Sequence, residues 1–249
     1  MAHGGRGLSG RAVYPGQRRP AVTPATTDNA GMNDSDTVAV IDFETTGMSP
    51  AMGARATEIA VVLVQGGRIK DRYASLMRSD SWVPPFIEQL TGISNRMLAS
   101  APPAAEVMRR VTEFSRGCAL VAHNASFDRG FWQHELALAG LAAPSGAVKV
   151  APAAAAPEFG CTLLLSRRLW PEVPDHKLGT LARWHGITAT GRAHRALADA
   201  EMAAELWLRI EGEVQHRFAT NVPFGLLCAL QRTPRQQLAR CVTRYFAEA

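Results

Sequence analysis

The chain has 249 residues, 47% of them hydrophobic and 20% charged, with a formal net charge of +5. That suffices for one large domain, alone or with appendages, whose core needs no disulfide or zinc staple. The composition excludes a collagen, a coiled coil and a wholly disordered protein. The longest Ala/Leu-rich stretch, Leu136 to Gly160, is interrupted by Pro144, Lys149, Pro152 and Pro157, so no membrane span is expected. No basic-then-apolar start resembles a secretory signal, and a cytoplasmic address is the default. The basic residues are 24 Arg and 3 Lys, with no adjacent run longer than two. That bias reads as codon usage from a GC-rich genome, and charge alone supports nucleic-acid binding only weakly. Cys118, Cys161, Cys228 and Cys241 form no Cys-x-x-Cys pair and read as small buried hydrophobes.

Residues 1–35 read as a disordered tail: nine are Gly or Pro, and few large apolar side chains are present to offset the entropy of ordering. Met32 stands just before the first patterned segment, so translation could begin there. Thr37 to Thr45 is a short apolar run expected to be a strand. Glu58 to Val64 is a second strand, Gly66-Gly67 a hairpin turn, and Arg68 to Met77 the returning strand. Pro84-Pro85 starts a short helix through Leu90, broken at Gly92. Pro102-Pro103 starts another, carrying Val107, Val111 and Phe114 on one face.

Cys118 to Ala122 is a fourth strand and Phe127 to Leu141 a helix, followed by an Ala/Pro-rich linker from Ala142 to Pro157. Helices are expected at Thr162 to Trp170, Lys177 to Trp184 and Arg195 to Ile210. This order implies an α/β fold, a mixed sheet with helices against it. The domain is placed at 36–210 and an appendage at 211–249. In the appendage, Thr233-Pro234-Arg235-Gln236 reads as a capping box. It precedes an amphipathic helix with Leu238, Cys241, Val242, Tyr245 and Phe246 on one face, expected to pack on its own domain.

Three segments could carry chemistry. Asp42 and Glu44 are two apart on the first strand, so both carboxylates project from one face while Ile41 and Phe43 face the other way. Two adjacent carboxylates are costly to desolvate unless a cation sits between them. His123-Asn124-Ala-Ser-Phe127-Asp128 follows the fourth strand and opens a helix. His194 and Asp199 are five apart, about 140° on a continuous helix. They can converge only if His194 sits on the loop before the helix and Asp199 on its second turn. Taken singly, each segment has an ordinary reading: wet carboxylates on an edge strand, a first-turn acid favoured by the helix dipole, and a solvated His with a surface Asp. Arg55, Arg129 and Arg195 flank the motifs and read equally as phosphate contacts or as solvated surface. His185 and the five tryptophans read as structural.

Together, Asp-x-Glu-Thr-Thr-Gly, His-Asn-x-x-Phe-Asp and His-x-x-x-x-Asp stand in the order found in the DEDDh group of 3′–5′ exonucleases. The chain resembles the proofreading epsilon subunit of bacterial DNA polymerase III. The similarity spans Asp36 to Glu211 and includes Leu90-Thr91-Gly92-Ile93-Ser94 and Ala196-Leu197-Ala198-Asp199-Ala200. The resemblance implies a ribonuclease H-like mixed β-sheet flanked by helices and two divalent cations, Mg²⁺ or Mn²⁺. By motif position, Asp42 would bridge both ions, Glu44 and Asp199 would hold the one carrying the attacking water, and Asp128 would hold the other. His194 would be the general base, a role suited to an imidazole at neutral pH. Thr45, Thr46, Gly47 and Met48 would cradle the terminal nucleotide, with Asn124 also facing substrate.

The expected activity is metal-dependent 3′–5′ exonucleolysis of single-stranded DNA ends, releasing nucleoside monophosphates, with DNA polymerase a candidate associate. RNA trimming by the same chemistry is the alternative, since the motif cannot tell the two sugars apart. A catalytically dead end-binding module would have lost one of the five residues, and none is lost. No Gln/Ser-rich linker appears in 211–249, which favours a stand-alone or loosely associated enzyme.

Overall fold

A computed structural model of the chain describes residues 37–141 and 158–248. The expected tail at 1–35 and linker at 142–157 lie outside the described residues. Among the described residues, five strands form one sheet in the order β3-β2-β1-β4-β5. They are β1 (Val38–Thr45), β2 (Ala56–Gln65), β3 (Arg68–Leu76), β4 (Ala119–Ala122) and β5 (Phe159–Cys161). The central strand β1 is antiparallel to β2 and parallel to β4, which makes the sheet mixed. Gly66 and Gly67, at φ 59° and 72°, close the β2–β3 hairpin. Both central residues of this turn need positive φ, which glycine adopts without steric cost.

The helices are α1 (Pro85–Thr91), α2 (Asn95–Ala99), α3 (Ala104–Phe114), α4 (Ala125–Leu138), α5 (Thr162–Leu169), α6 (Leu178–Trp184), α7 (Ala196–Phe218), α8 (Phe224–Arg232) and α9 (Leu238–Ala247). They cover both faces of the sheet, and the period-two alternation of β1 assigns its side chains to the two layers. Ala39, Ile41 and Phe43 enter a core with Val107 and Val111 of α3 and Phe131, Trp132 and Leu136 of α4. Val38 and Val40 enter the opposite core with α5, α7, α8 and α9. In α7, Ala196, Ala200, Ala203 and Ala204 are buried, then Trp207, Ile210 and Val214. Small residues over the first turns let the helix start close to the sheet, and large ones fill the space beyond.

Several expectations need correction. α7 runs past residue 210 to Phe218; the C-terminal amphipathic helix does pack on its own domain as expected, α8 and α9 contributing Leu226, Leu230, Leu238 and Cys241 to the α7 core. β5, α2 and α8 went unassigned in the sequence. β5 has only three residues, too few to show a period, although Ser94 before α2 and Pro223 before α8 were readable start signals. The capping box is not formed: the Thr233 hydroxyl donates to the Ala229 carbonyl at 2.8 Å and so finishes α8 instead of starting α9. Cys118 is only half-buried, the other three cysteines being buried. Trp132, Trp170 and Trp207 are core residues, with His185 stacked at a tilt on Trp170, but Trp82 and Trp184 are exposed and hold no core together.

Gly160 shows how tightly β5 is covered: a Cβ there would lie 3.0 Å from the Trp207 ring and 3.1 Å from Phe224. Gly160→Ala is expected to lower stability by about 1–3 kcal/mol through overpacking, read as a lower midpoint in urea with an unchanged m-value.

Candidate active site

Past the Val40–Val121 pair the β1–β4 ladder stops, and the two strands part toward their carboxyl ends. Such a gap at the carboxyl edge of parallel strands is where open α/β sheets bind ligands. Asp42 and Glu44 stand there on the α7 side of β1, continuing the row of Val38 and Val40.

Asp128 reaches the same place from α4. The N-cap of α4 is Asn124, held at φ 64° with no side-chain cap bond. Asp128, only 2% exposed, accepts the Phe43 amide at 3.1 Å. That N–H lies beyond the end of the β1–β4 ladder, so the carboxylate stands in for a strand neighbour. Asp128 is thus more than a first-turn acid favouring the helix dipole.

Asp199 and His194 come from the start of α7. His194 lies on the loop two residues ahead of the helix, at φ 60°, a left-handed conformation uncommon outside glycine. Its amide donates to the Asp199 carboxylate at 3.0 Å. Asp199 is in the first turn of α7, not the second as expected from spacing. Ligand atoms of Glu44, His194 and Asp199 all lie within 4.8 Å of one another. The structure therefore brings the four acids and the histidine to one end of β1.

Two of the three flanking arginines, Arg55 and Arg195, are paired with carboxylates. Arg195 donates to both oxygens of Glu58, at 2.6 and 3.0 Å, and the Ala196 amide adds a third bond to Glu58 at 3.1 Å. Arg55 likewise grips both oxygens of Glu135, at 2.8 and 2.9 Å, with the Ala56 amide at 3.1 Å. Arg129 is exposed on α4. The sequence reading missed both glutamates. The one available signal was register: Glu58 pairs with Glu44 across β1 and β2, and like charges in direct opposition need a cation nearby. Arg195 supplies it, and the three bonds to Glu58 fasten the start of α7, and with it Asp199 and His194, to the sheet.

The loop after β1 uses its own hydroxyls. Thr45 Oγ1 donates to the Gly47 carbonyl at 2.7 Å; Thr46 Oγ1 accepts the Arg55 amide at 3.0 Å and lies 3.2 Å from Ser81 Oγ. Thr45 and Thr46 are buried, whereas Met48 is 79% exposed. A Cβ on Gly47 would meet Ala54 at 3.3 Å, so this glycine permits a tight loop. Asn124 is exposed at the mouth of a neighbouring groove, beside His123, whose Nδ1 is 2.9 Å from Thr162 Oγ1. Burial pushes the His123 imidazole down to about 4, so it is neutral at pH 7.

Burial dominates the electrostatics, and repulsion between neighbouring acids adds to it at Asp42 and Glu44. Desolvation pushes Glu44 up to about 8, helped by Asp199 and Glu58 and opposed by Arg195. Burial, then the charges of Asp128, Glu44, Asp199 and Glu58, hold Asp42 well above the usual carboxylate range. Burial also raises Asp128, against the pull of the Phe43 amide. Asp199 is raised by burial, against the His194 amide. Carboxylates that resist ionisation beside one another, converging with hard oxygen donors, suit divalent cations.

A mixed sheet sandwiched by helices, with this set at the carboxyl end of its central strand, defines a nuclease of the ribonuclease H-like class. Residues 39–207 match the family model RNase_T, described as Exonuclease. The chain is 36% identical over 193 residues to the 3′-5′ exonuclease DinG of Bacillus subtilis (strain 168), covering 78% of this chain and 19% of that protein. To the PolC-type DNA polymerase III of the same organism it is 35% identical over 205 residues, covering 80% and 13%. Among solved structures, exonuclease X in complex with 5′ overhanging duplex DNA superimposes with a TM-score of 0.55 at 25% identity, covering 82% of this chain and 98% of that one. The chain belongs to this exonuclease family, whose members use divalent metal ions. It spans a fifth or less of the two relatives' lengths.

Two outcomes are expected. The cluster carboxylates bind protons more tightly folded than unfolded. Their contribution to stability is therefore full below the ordinary carboxylate range and lost as pH rises through about 8, where Glu44 ionises. Chelator-treated protein is expected to melt at a lower temperature at pH 8.5 than at pH 6, and Mn²⁺ to restore more of the loss at the higher pH; scanning calorimetry at the two pH values measures both. Glu58→Ala removes two bonds from Arg195 and one from the Ala196 amide and should cost about 2 kcal/mol, as for lost bonds to a charged group. Glu58→Gln, which keeps an acceptor for that amide, should cost less in the same urea titration.

Proposed function

We propose that the chain is a metal-dependent 3′–5′ exonuclease acting on DNA ends and releasing nucleoside monophosphates. The observation that carries this reading is the convergence of Asp42, Glu44, Asp128, Asp199 and His194, drawn from β1, α4 and the start of α7, at one end of the sheet. The fit of hard oxygen donors and raised proton affinities supports two divalent cations, Mg²⁺ or Mn²⁺, as the resident metals. When bound, such a pair neutralises charge on the attacking and leaving oxygens of a phosphodiester and acidifies water.

In this reading Asp42, between the other acids, would serve both ions, Glu44 and Asp199 would hold one, and Asp128, anchored by the Phe43 amide, would hold the other. His194 accepts the proton of the attacking water on its imidazole. Its exposed position lets it pass that proton on to solvent, and its amide bond to Asp199 keeps the ring close to the acids. The loop Thr45–Met48 seats the terminal nucleotide. The internally bonded threonines keep the loop in shape, and the Met48 side chain offers an apolar face to the base.

Exonuclease X, a relative at 25% identity, is solved in complex with a 5′ overhanging duplex, which supports DNA as substrate. Similarity to PolC-type polymerases makes association with a replicative polymerase part of the proposal, with a cytoplasmic address. Among the described residues, no helix is long and apolar enough to cross a membrane.

The test is degradation of 3′-labelled single-stranded DNA, duplex DNA and RNA with Mg²⁺ or Mn²⁺. DNA shortened from its 3′ end to mononucleotides supports the reading; faster loss of RNA would replace DNA as the substrate. His194→Ala is expected to lower kcat by about 10²–10⁴-fold, the usual worth of a general base, with KM little changed. Asp42→Ala should abolish turnover, and unaltered degradation by that variant would refute the site.

A further inference from the structure

A groove of about 800 Å³ opens directly from the catalytic cluster, with His194 and Asp199 at one end. Its far wall is built from α5, α6 and the segment between them, and carries three cations, Arg167, Lys177 and Arg183. All three are exposed, and among the described residues none lies within 4.0 Å of a carboxylate. The acid in that wall, Asp175, spends one oxygen on the Lys177 amide at 3.0 Å. Arg183 donates to Thr180 Oγ1 at 3.2 Å, and its charge and that of Lys177 help hold the Asp175 carboxyl below the usual carboxylate range, leaving the wall with three cations against one acid. Beneath the cations the lining is apolar, with Leu163, Leu178 and Met202.

The groove is braced from behind. His123 joins the end of β4 to α5 through Thr162, and His176 Nε2 lies 3.1 Å from the Trp170 carbonyl, holding the segment before Lys177. A positive rim over an apolar floor, continuous with a phosphodiesterase centre, matches a nucleic-acid strand: phosphates against the cations, sugars and base edges against the floor.

Sheet order gives the direction. From β1, the loop holding Thr45–Met48 leans toward β2 and β3, where Thr46 meets Ser81. The groove lies toward β4, β5 and α5, on the other side. The catalytic cluster therefore stands between them.

We propose that this groove binds the phosphodiester backbone of the single strand on the 5′ side of the scissile bond, with Arg167, Lys177 and Arg183 on successive phosphates. This rests on the reading that the centre removes 3′-terminal nucleotides. Contacts of this kind carry no base preference, so the groove grips any sequence and sets how much strand must precede the end being cut.

The test compares two substrates in the full chain with Mn²⁺: oligo-dT of ten nucleotides, and the p-nitrophenyl ester of thymidine 5′-monophosphate, which has a cleavable phosphodiester but no upstream strand. The Arg167→Ala/Lys177→Ala/Arg183→Ala variant is expected to hydrolyse the ester at the wild-type rate. Its KM for oligo-dT should rise about tenfold or more, and log(kcat/KM) should fall less steeply with log[salt], the slope changing by about 2 for three lost contacts at about 0.7 each. Lys177→Glu alone should raise the oligo-dT KM while leaving the ester untouched.

An unchanged KM and salt slope for oligo-dT in both variants would overturn the proposal and leave the groove to a protein partner. If the triple variant loses both substrates together, Lys177→Glu decides: an oligo-dT KM equal to wild type refutes the groove. A wild-type protein that cleaves neither substrate refutes the catalytic reading itself, which separates the two failures.

Discussion

Four carboxylates meet at the carboxyl end of β1, where burial and mutual repulsion push their proton affinities up. Bringing them together costs free energy that nothing within the cluster returns. The surrounding architecture can be understood as holding that arrangement against its own repulsion until cations neutralise it. Arg195 offsets part of the charge on Glu44, and the Phe43 amide does the same for Asp128.

The sheet does this with few parts. β1 is buried on both faces, so its alternation sends Ile41 and Phe43 to one core and the two acids to the other side. Because β4 stops pairing with β1 after Val121, a main-chain amide on β1 is left for Asp128. α7 is tied down at its first residue by Glu58 and along its length by an alanine-to-tryptophan packing face, so Asp199 is presented from a rigid helix. His194 alone sits on an exposed loop, in a left-handed conformation held by the Asp199 carboxylate. In the proposed reading, a proton acceptor that must exchange with water is well placed on the one element of the cluster that faces it.

The two glutamate–arginine clasps, Glu58–Arg195 and Glu135–Arg55, share a design. In each, a buried carboxylate takes two guanidinium bonds and one backbone amide from the same short segment. One fixes the start of α7 and the other the start of β2. Both arginines, which the sequence left equally open to phosphate contact or a solvated surface, are instead bonded to buried carboxylates. Among the described residues, exposed cations without a carboxylate within 4.0 Å include Arg167, Lys177 and Arg183 on α5, α6 and the loop between them.

Local order was legible in the residues. Alternating apolar positions marked β1 and β2, Gly66-Gly67 required a turn with positive φ, and three ordered motifs marked the acids and the histidine, because these depend on neighbours within a few positions. Other features depended on contacts between residues far apart in the chain. The convergence of Asp42 and Asp128, the pairing of Glu58 with Arg195, the left-handed His194, the brevity of β5 and the redirected Thr233 hydroxyl are settled by which surfaces meet after collapse. No period or propensity encodes them. The amino-acid order thus specified the chemistry available, and only the packing of α4 and α7 against opposite faces of one strand decided that it would act at a single point.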